Sequence, residues 1–279
     1  MVDLGNYTET GQVLGRTQPA ISLQIKRLED LVGAKLLHHK GKVLELTPQG
    51  HALIGYAREM LRLNDRAVAN LHEAQFMGTL RVGLPTDYAI GYFQRIIADF
   101  AHANPDVTFD IRCDWSRNIL GQLHVDELDL AIAITDTMPA PYVSLYWSER
   151  PFWVCGRDYQ FSLDKPVQII AHPKGCFYRK RMIDALNTEG REWRICFESP
   201  GITAVQNAVL DGMGVTALTK KTLLPGMRVL SPKEGFPPLA NLHVGLFYKH
   251  IRASDAALKL IEQITEGVSA FRKPTHARS

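Results

Sequence analysis

The side chains best suited to chemistry in this sequence sit in one run, Gly15-Arg16-Thr17-Gln18-Pro19-Ala20-Ile21-Ser22-Leu23-Gln24-Ile25-Lys26-Arg27-Leu28-Glu29. Gln18, Ser22 and Gln24 are neutral donors and acceptors of the kind that read base edges in a DNA major groove. Lys26 and Arg27 are cations that can neutralise phosphates. These groups act together only if one rigid element presents them, and the local signals supply a helix. Thr17 can cap it, because its hydroxyl can accept an orphan N–H of the first turn. Pro19 falls in that turn, where a missing N–H costs nothing. Ile21, Ile25 and Leu28 recur at helical spacing as an apolar stripe. An ordinary amphipathic surface helix would show the same stripe, so the flanks must decide.

Upstream, Tyr7–Leu14 reads as a shorter helix with Thr8 as its cap. Downstream, Gly33 suits the left-handed position that ends a helix. Lys35–Leu46 then reads as two apolar strands around a tip of His38, His39, Lys40, Gly41 and Lys42, the form of a winged hairpin. Thr47 caps a long helix that opens at Pro48 and runs to about Phe76, with Gly78 as its stop. At ~1.5 Å per residue this is a rod of about 40 Å. Ile54, Ala57, Leu61, Asn64, Val68 and Leu71 alternate steps of three and four along it, a heptad seam with Asn64 as a register-setting polar residue. A seam needs a partner. The sequence offers no second helix of matching length, so the reading is a homodimer.

After Gly78 the pattern becomes α/β. Leu80–Leu84 and Val107–Cys113 alternate as strands, and Leu130-Ala131-Ile132-Ala133-Ile134 is the continuous apolar run of a buried parallel strand. A second unit holds strands at Val167–Ala171, Arg194–Glu198 and Val215–Leu218, with helices around Arg181–Asn187 and Thr203–Leu210. Leu242–Lys249 reads as a strand returning to the first unit, and Ser254–Ser269 as a closing helix. Two α/β lobes joined by two crossing strands make a hinged clamp. In open α/β sheets ligands sit beyond the carboxyl ends of the strands. Those ends carry Thr86 and Asp87, Trp115, Ser116 and Arg117, Thr135, His172, and Ser199, Ile202 and Thr203. Helix starts there can hold an anion, and Arg117 can pair with a carboxylate. Thr86 and Ser199 would look identical in sequence if they were simple helix caps. The aromatic and basic content points to an aromatic or carboxylate-bearing small molecule.

Composition narrows the classes. With 279 residues the chain can hold two or three domains. No apolar run is long enough to span a bilayer, and no basic-then-apolar leader opens the sequence, so a cytoplasmic protein without membrane contact is expected. The net charge is +3. In residues 1–46, six cations (Arg16, Lys26, Arg27, Lys35, Lys40, Lys42) face five anions (Asp3, Glu9, Glu29, Asp30, Glu45), so a basic patch must come from arrangement. Cys113, Cys155, Cys176 and Cys196 show no metal-type spacing. They read as buried apolar residues, with a redox pair of Cys176 and Cys196 as the alternative. His38-His39 on a wing more often faces solvent or DNA than a metal. There is no nucleophile elbow, phosphate loop or cofactor motif, so no catalytic residue, metal or cofactor is assigned. A solute-binding clamp would need an export signal.

Taken together, Thr17–Ser22, Leu28-Glu29 with Gly33, and Leu46-Thr47 with Gly50 resemble the winged helix of the LysR-type transcriptional regulators, and the resemblance extends over the whole chain. It implies an α + α/β architecture. Residues 1–47 would form a winged helix-turn-helix and 48–77 a dimerising linker helix. Residues 78–279 would form an effector-binding domain similar to periplasmic binding proteins, with lobe I at 78–148 and 243–279 and lobe II at 149–242. It implies that Thr17, Gln18, Pro19, Ser22 and Leu23 meet base edges, that Lys26, Arg27, Lys40 and Lys42 position phosphates, and that His39 lies on the wing. Thr86, Trp115, Thr135, His172 and Ile202 or Thr203 match positions lining the family's cleft. The implied partners are double-stranded DNA with two-fold character, a small effector, a second or fourth copy of the chain, and RNA polymerase. Within the family, Gly15–Ser22, Gly55-Tyr56-Ala57-Arg58 and Gly201–Leu218 most resemble the branch called LrhA/HexA/PecT, whose members act on motility, surface polymers and virulence factors. Four departures stand out. The chain opens after most of the family's first helix. Thr10-Gly11 replaces Ala-Ala, where a mid-helix glycine costs about 1 kcal/mol. Leu23 replaces a polar or basic residue, and His39 an arginine. The first departure leaves an alternative open, an effector-binding and dimerisation module with impaired DNA binding.

Overall fold

Asn6, not Thr8, opens the first helix. Its side chain accepts from the Glu9 N–H at 2.7 Å and starts α1 at Tyr7–Val13. The computed structural model describes residues 1–40, 43–71, 77–89, 92–136, 141–162, 164–250 and 253–272. Lys42 of the wing lies outside these residues, as do the side chains of His39, Lys40, Val68 and Leu71.

α2 spans Gln18–Val32, with Thr17 as N-cap, its hydroxyl accepting from the Ala20 N–H, and Gly33, which has no Cβ to clash, as a left-handed C-cap at φ 71°. Ile21 is buried on its inner face, but Leu28 is exposed, and the position sealed beside it belongs to Glu29. β1 (Leu37–Lys40) and β2 (Val43–Leu46) pair antiparallel as the hairpin. Thr47 then holds the hairpin to α3 (Pro48–Leu71). Its hydroxyl donates to the Lys35 carbonyl at 2.6 Å and accepts from the Gly50 N–H at 3.0 Å.

The rest of the chain forms two five-stranded sheets. Lobe I has the order β4-β3-β5-β12-β6. Its strands are β3 (Gly78–Leu84), β4 (Val107–Cys113), β5 (Leu130–Thr135), β6 (Val143–Glu149) and β12 (Leu242–Tyr248). β3, β4 and β5 run parallel, while β12 lies antiparallel between β5 and β6. Lobe II has the order β11-β7-β10-β8-β9. Its strands are β7 (Phe152–Gly156), β8 (Val167–Ala171), β9 (Trp193–Glu198), β10 (Val215–Leu218) and β11 (Met227–Val229). Strand β5 is sealed on both faces, which is why its sequence is an unbroken apolar run.

Helices α4 (Thr86–Ala89), α5 (Tyr92–Ala103) and α6 (Ser116–His124) follow the lobe I strands. α7 (Phe177–Thr188) and α8 (Ile202–Leu210) follow those of lobe II, and α9 (Asp255–Arg272) ends the described fold. Ile119 and Leu123 of α6 pack on Ala131 and Ala133, and Val205 and Val209 of α8 on Val154 and Ile170. A third core is continuous between the lobes and includes Tyr88, Cys176 and Tyr178.

α9, of 18 residues, packs against the 24-residue α3 without matching its length. One expectation changes here: α7 begins at Phe177, one turn before the place its sequence suggests, because its N-cap Cys176 makes no side-chain capping bond that could mark the start.

Candidate functional site

The exposed face of α2 gathers Thr17, Gln18, Pro19, Ser22, Leu23, Lys26 and Arg27. Leu23 is 49 % exposed, so an apolar side chain stands among the polar ones. The wing is anchored to this helix from below. Glu29 is sealed from solvent, and one carboxylate oxygen accepts from the Leu36 N–H at 2.9 Å and the Leu37 N–H at 3.4 Å. The other takes the Lys35 ammonium at 2.6 Å. The Lys35 hydrogen bond, then the backbone donors, hold the Glu29 carboxyl below its ordinary value. Gly50 closes the same joint. A Cβ there would lie 2.1 Å from the Leu36 carbonyl oxygen. His38 stands opposite Glu45 in the hairpin, its Nε2 3.7 Å from the carboxylate.

Between the lobes lies a cleft of about 1130 Å³. Thr86, Asp87, Trp115, Ser116, Arg117, Thr135, His172 and Ile202 all line it, and Cys176, Tyr178 and Lys174 join them. Ser199 and Thr203 do not. The Ser199 hydroxyl accepts from the Gly201 N–H at 3.2 Å, a local loop tie, and Thr203 faces outward on α8. Ser116 is partly committed as well, since its hydroxyl accepts from the Ile134 N–H at 2.9 Å and fastens α6 to β5. Arg117 is exposed and makes no ion pair among the described residues.

Trp115 of lobe I meets His172 of lobe II edge to face, with 6.2 Å between ring centres. His172 Nδ1 lies 2.9 Å from the Ser199 carbonyl, and burial lowers its pKa, keeping it neutral near pH 7. Asp87, assigned from sequence to the bound molecule, already has a protein partner: Tyr178 Oη donates to its Oδ2 at 2.7 Å. Burial, against that hydrogen bond, pushes the carboxyl up to about 6. Beside it Glu149 accepts from Tyr88 at 3.1 Å, Trp147 at 3.0 Å and Lys221 at 2.8 Å. Sequence reading missed Tyr178, Glu149 and Lys221. A helix start without a capping side chain hid the first, and nothing local marks the other two.

The redox reading of Cys176 and Cys196 finds no support in their surroundings. Cys176 is buried at the cleft and its thiol is pushed up to about 11. Cys196 faces the Ile169 and Met213 carbonyls and is also raised by burial, opposite to what a reactive thiolate needs. Among the described residues, no group of three metal-ligating side chains stands together. No helix of the described chain is long and apolar enough to cross a membrane.

Comparison with known proteins covers both regions. The family described as bacterial regulatory helix-turn-helix protein, lysR family, matches residues 1–51, and the LysR substrate binding domain matches 73–269. The HTH-type transcriptional regulator PecT of Dickeya dadantii (strain 3937) is 30 % identical over 241 residues, 86 % of this chain and 76 % of that protein. CrgA, a LysR-type transcriptional regulator from Neisseria meningitidis, superposes with a TM-score of 0.59 at 15 % identity, covering 96 % of this chain and 95 % of its own. Full-length CbnR complexed with its target DNA superposes with a TM-score of 0.51 at 17 % identity, over 95 % and 96 % of the two chains.

Proposed function

Because the chain belongs to the LysR family of bacterial transcriptional regulators, we propose that it reads DNA with the exposed face of α2 and adjusts that reading to a small molecule held between its lobes. The observation that carries this is the joining, in one chain, of a capped, wing-anchored helix with a polar outer face to an open cleft of about 1130 Å³. Thr17, Gln18, Pro19, Ser22 and Leu23 meet base edges, and Lys26, Arg27, Lys40 and Lys42 meet phosphates, with His39 on the wing. The helix-turn-helix match over residues 1–51 favours this reading over a module with impaired DNA binding.

A homodimer or homotetramer places two such helices on a two-fold site. CbnR is named as a complex with target DNA, and this chain shares its fold. RNA polymerase is the further partner such a regulator would meet, in the cytoplasm. The bound molecule is aromatic or bears a carboxylate: Trp115, Phe177 and His172 offer ring faces, and Arg117 and Lys174 offer cations from opposite lobes. The division into 1–47, 48–77 and 78–279 follows the same roles.

Selection of genomic fragments by the full chain, followed by a salt titration on the best fragment, tests the reading. Saturable, sequence-selective binding whose affinity falls steeply with salt is expected. Binding that is equal on all fragments would overturn it.

A further inference from the structure

α7 reaches across the cleft twice. Tyr178 Oη donates to Asp87 Oδ2 at 2.7 Å, and Arg181 Nη2 stands 3.5 Å from Asp136 Oδ1. Both acceptors follow strand ends of lobe I, while α7 belongs to lobe II. The charges around Asp87 do not balance. From its own helix comes Tyr88, from β6 comes Glu149, and from the start of α7 come the Cys176 thiol and Tyr178, with Arg179 further along and paired to Glu198. Lys221 touches Glu149 at 2.8 Å. Asp87 makes no ion pair among the described residues. Asp87 thus stands beside a second carboxylate with no cation paired to it among the described residues, an arrangement that a proton relieves.

We propose that the Tyr178–Asp87 contact is a proton-operated latch between the lobes, so that in mildly acidic solution closing the clamp takes up a proton from solvent at Asp87 and opening it releases that proton. This rests on the reading of the cleft as the effector site. The protonated carboxyl still accepts from Tyr178 through its carbonyl oxygen. Asp87 is pushed up to about 6 where the lobes meet, against an ordinary value of 3.8 once solvated. The ratio of closed to open clamp therefore rises about tenfold between pH 8 and pH 5. His172 works the other way. Its pKa is lowered by burial, so its protonation opposes closure and must be separated from Asp87.

Trp115 reports the closure, since its ring meets His172 across the cleft. Acrylamide quenching of its emission, assigned by difference from a Trp115→Phe variant, is measured on the full chain without DNA or ligand. In the native protein quenching falls as pH drops from 8 to 5. Asp87→Asn abolishes that slope although His172 is intact, and Tyr178→Phe is quenched more strongly at both ends. Equal slopes in native and Asp87→Asn protein, or unchanged quenching in Tyr178→Phe, overturn the latch. If Asp87→Asn does not fold, His172→Gln decides: a retained slope supports the latch and a lost slope overturns it. Neither DNA nor effector enters the assay, so a flat profile removes the latch and leaves the regulator reading standing. Unselective DNA binding with a sloping profile does the reverse.

Discussion

Glu29 Oε1 accepts the Leu36 N–H at 2.9 Å and so ties α2 to the first strand of the wing. A carboxylate rather than a leucine fills this inner position because the chain turning out of α2 presents amide donors there, and buried donors need acceptors.

Glu29→Ala is expected to leave those donors unpaired, at about 1–3 kcal/mol. It should weaken DNA binding by loosening the wing, with α2 still helical. Thermal denaturation and operator binding measure the two effects. The tie has a defined pH window. The Glu29 carboxyl is held below its ordinary value of 4.5, chiefly by the Lys35 hydrogen bond. Its contribution is therefore complete above that value and lost as pH falls through the lowered one. Glu29→Gln should remove this acid dependence.

Gly50→Val should be destabilising, because Gly50 is buried where α3 meets the wing. The new Cβ would sit 2.1 Å from the Leu36 carbonyl oxygen, a backbone atom that cannot swing away. Overpacking of this kind costs about 1–3 kcal/mol. A melting temperature within error of the native protein would show that the α3–wing joint is looser than described.

Arg117→Gln should separate sensing from binding. A charge-assisted hydrogen bond is worth about 1.5–3 kcal/mol, so affinity for a carboxylate ligand should fall roughly ten- to a hundredfold. Operator binding without ligand should not change. Calorimetry with benzoate as the probe, beside neutral benzamide, checks the charge requirement: a variant that binds both as the native protein does would exclude Arg117.

Leu61→Asp tests assembly. Leu61, in the heptad seam of α3, is 48 % exposed. A seam leucine this open on a helix already packed against α9 calls for a second copy. Light scattering should show monomers for Leu61→Asp, and an unchanged particle mass would remove Leu61 from the interface.

Much of the fold was legible because it is written locally. Thr17 and Gly33 fix the ends of α2, Thr47 starts α3, and the unbroken apolar run of β5 marks a strand sealed on both faces. The cleft was legible at one remove, since strand ends line it wherever a parallel sheet is recognised. Ser199 and Thr203 show the limit of that rule: they sit at a strand end and a helix start, yet one closes its own loop and the other faces solvent.

The sequence by itself determined the helix-turn-helix, the long linker and the two α/β lobes, because caps, turns and apolar period act between residues a few positions apart. Only the tertiary structure decided that Glu29 rather than Leu28 is sealed, that α9 packs on α3, and that Tyr178 closes on Asp87, 91 positions away. Those pairings depend on how finished elements meet. A polar side chain gives no sign in its own neighbourhood of the distant partner that will satisfy it.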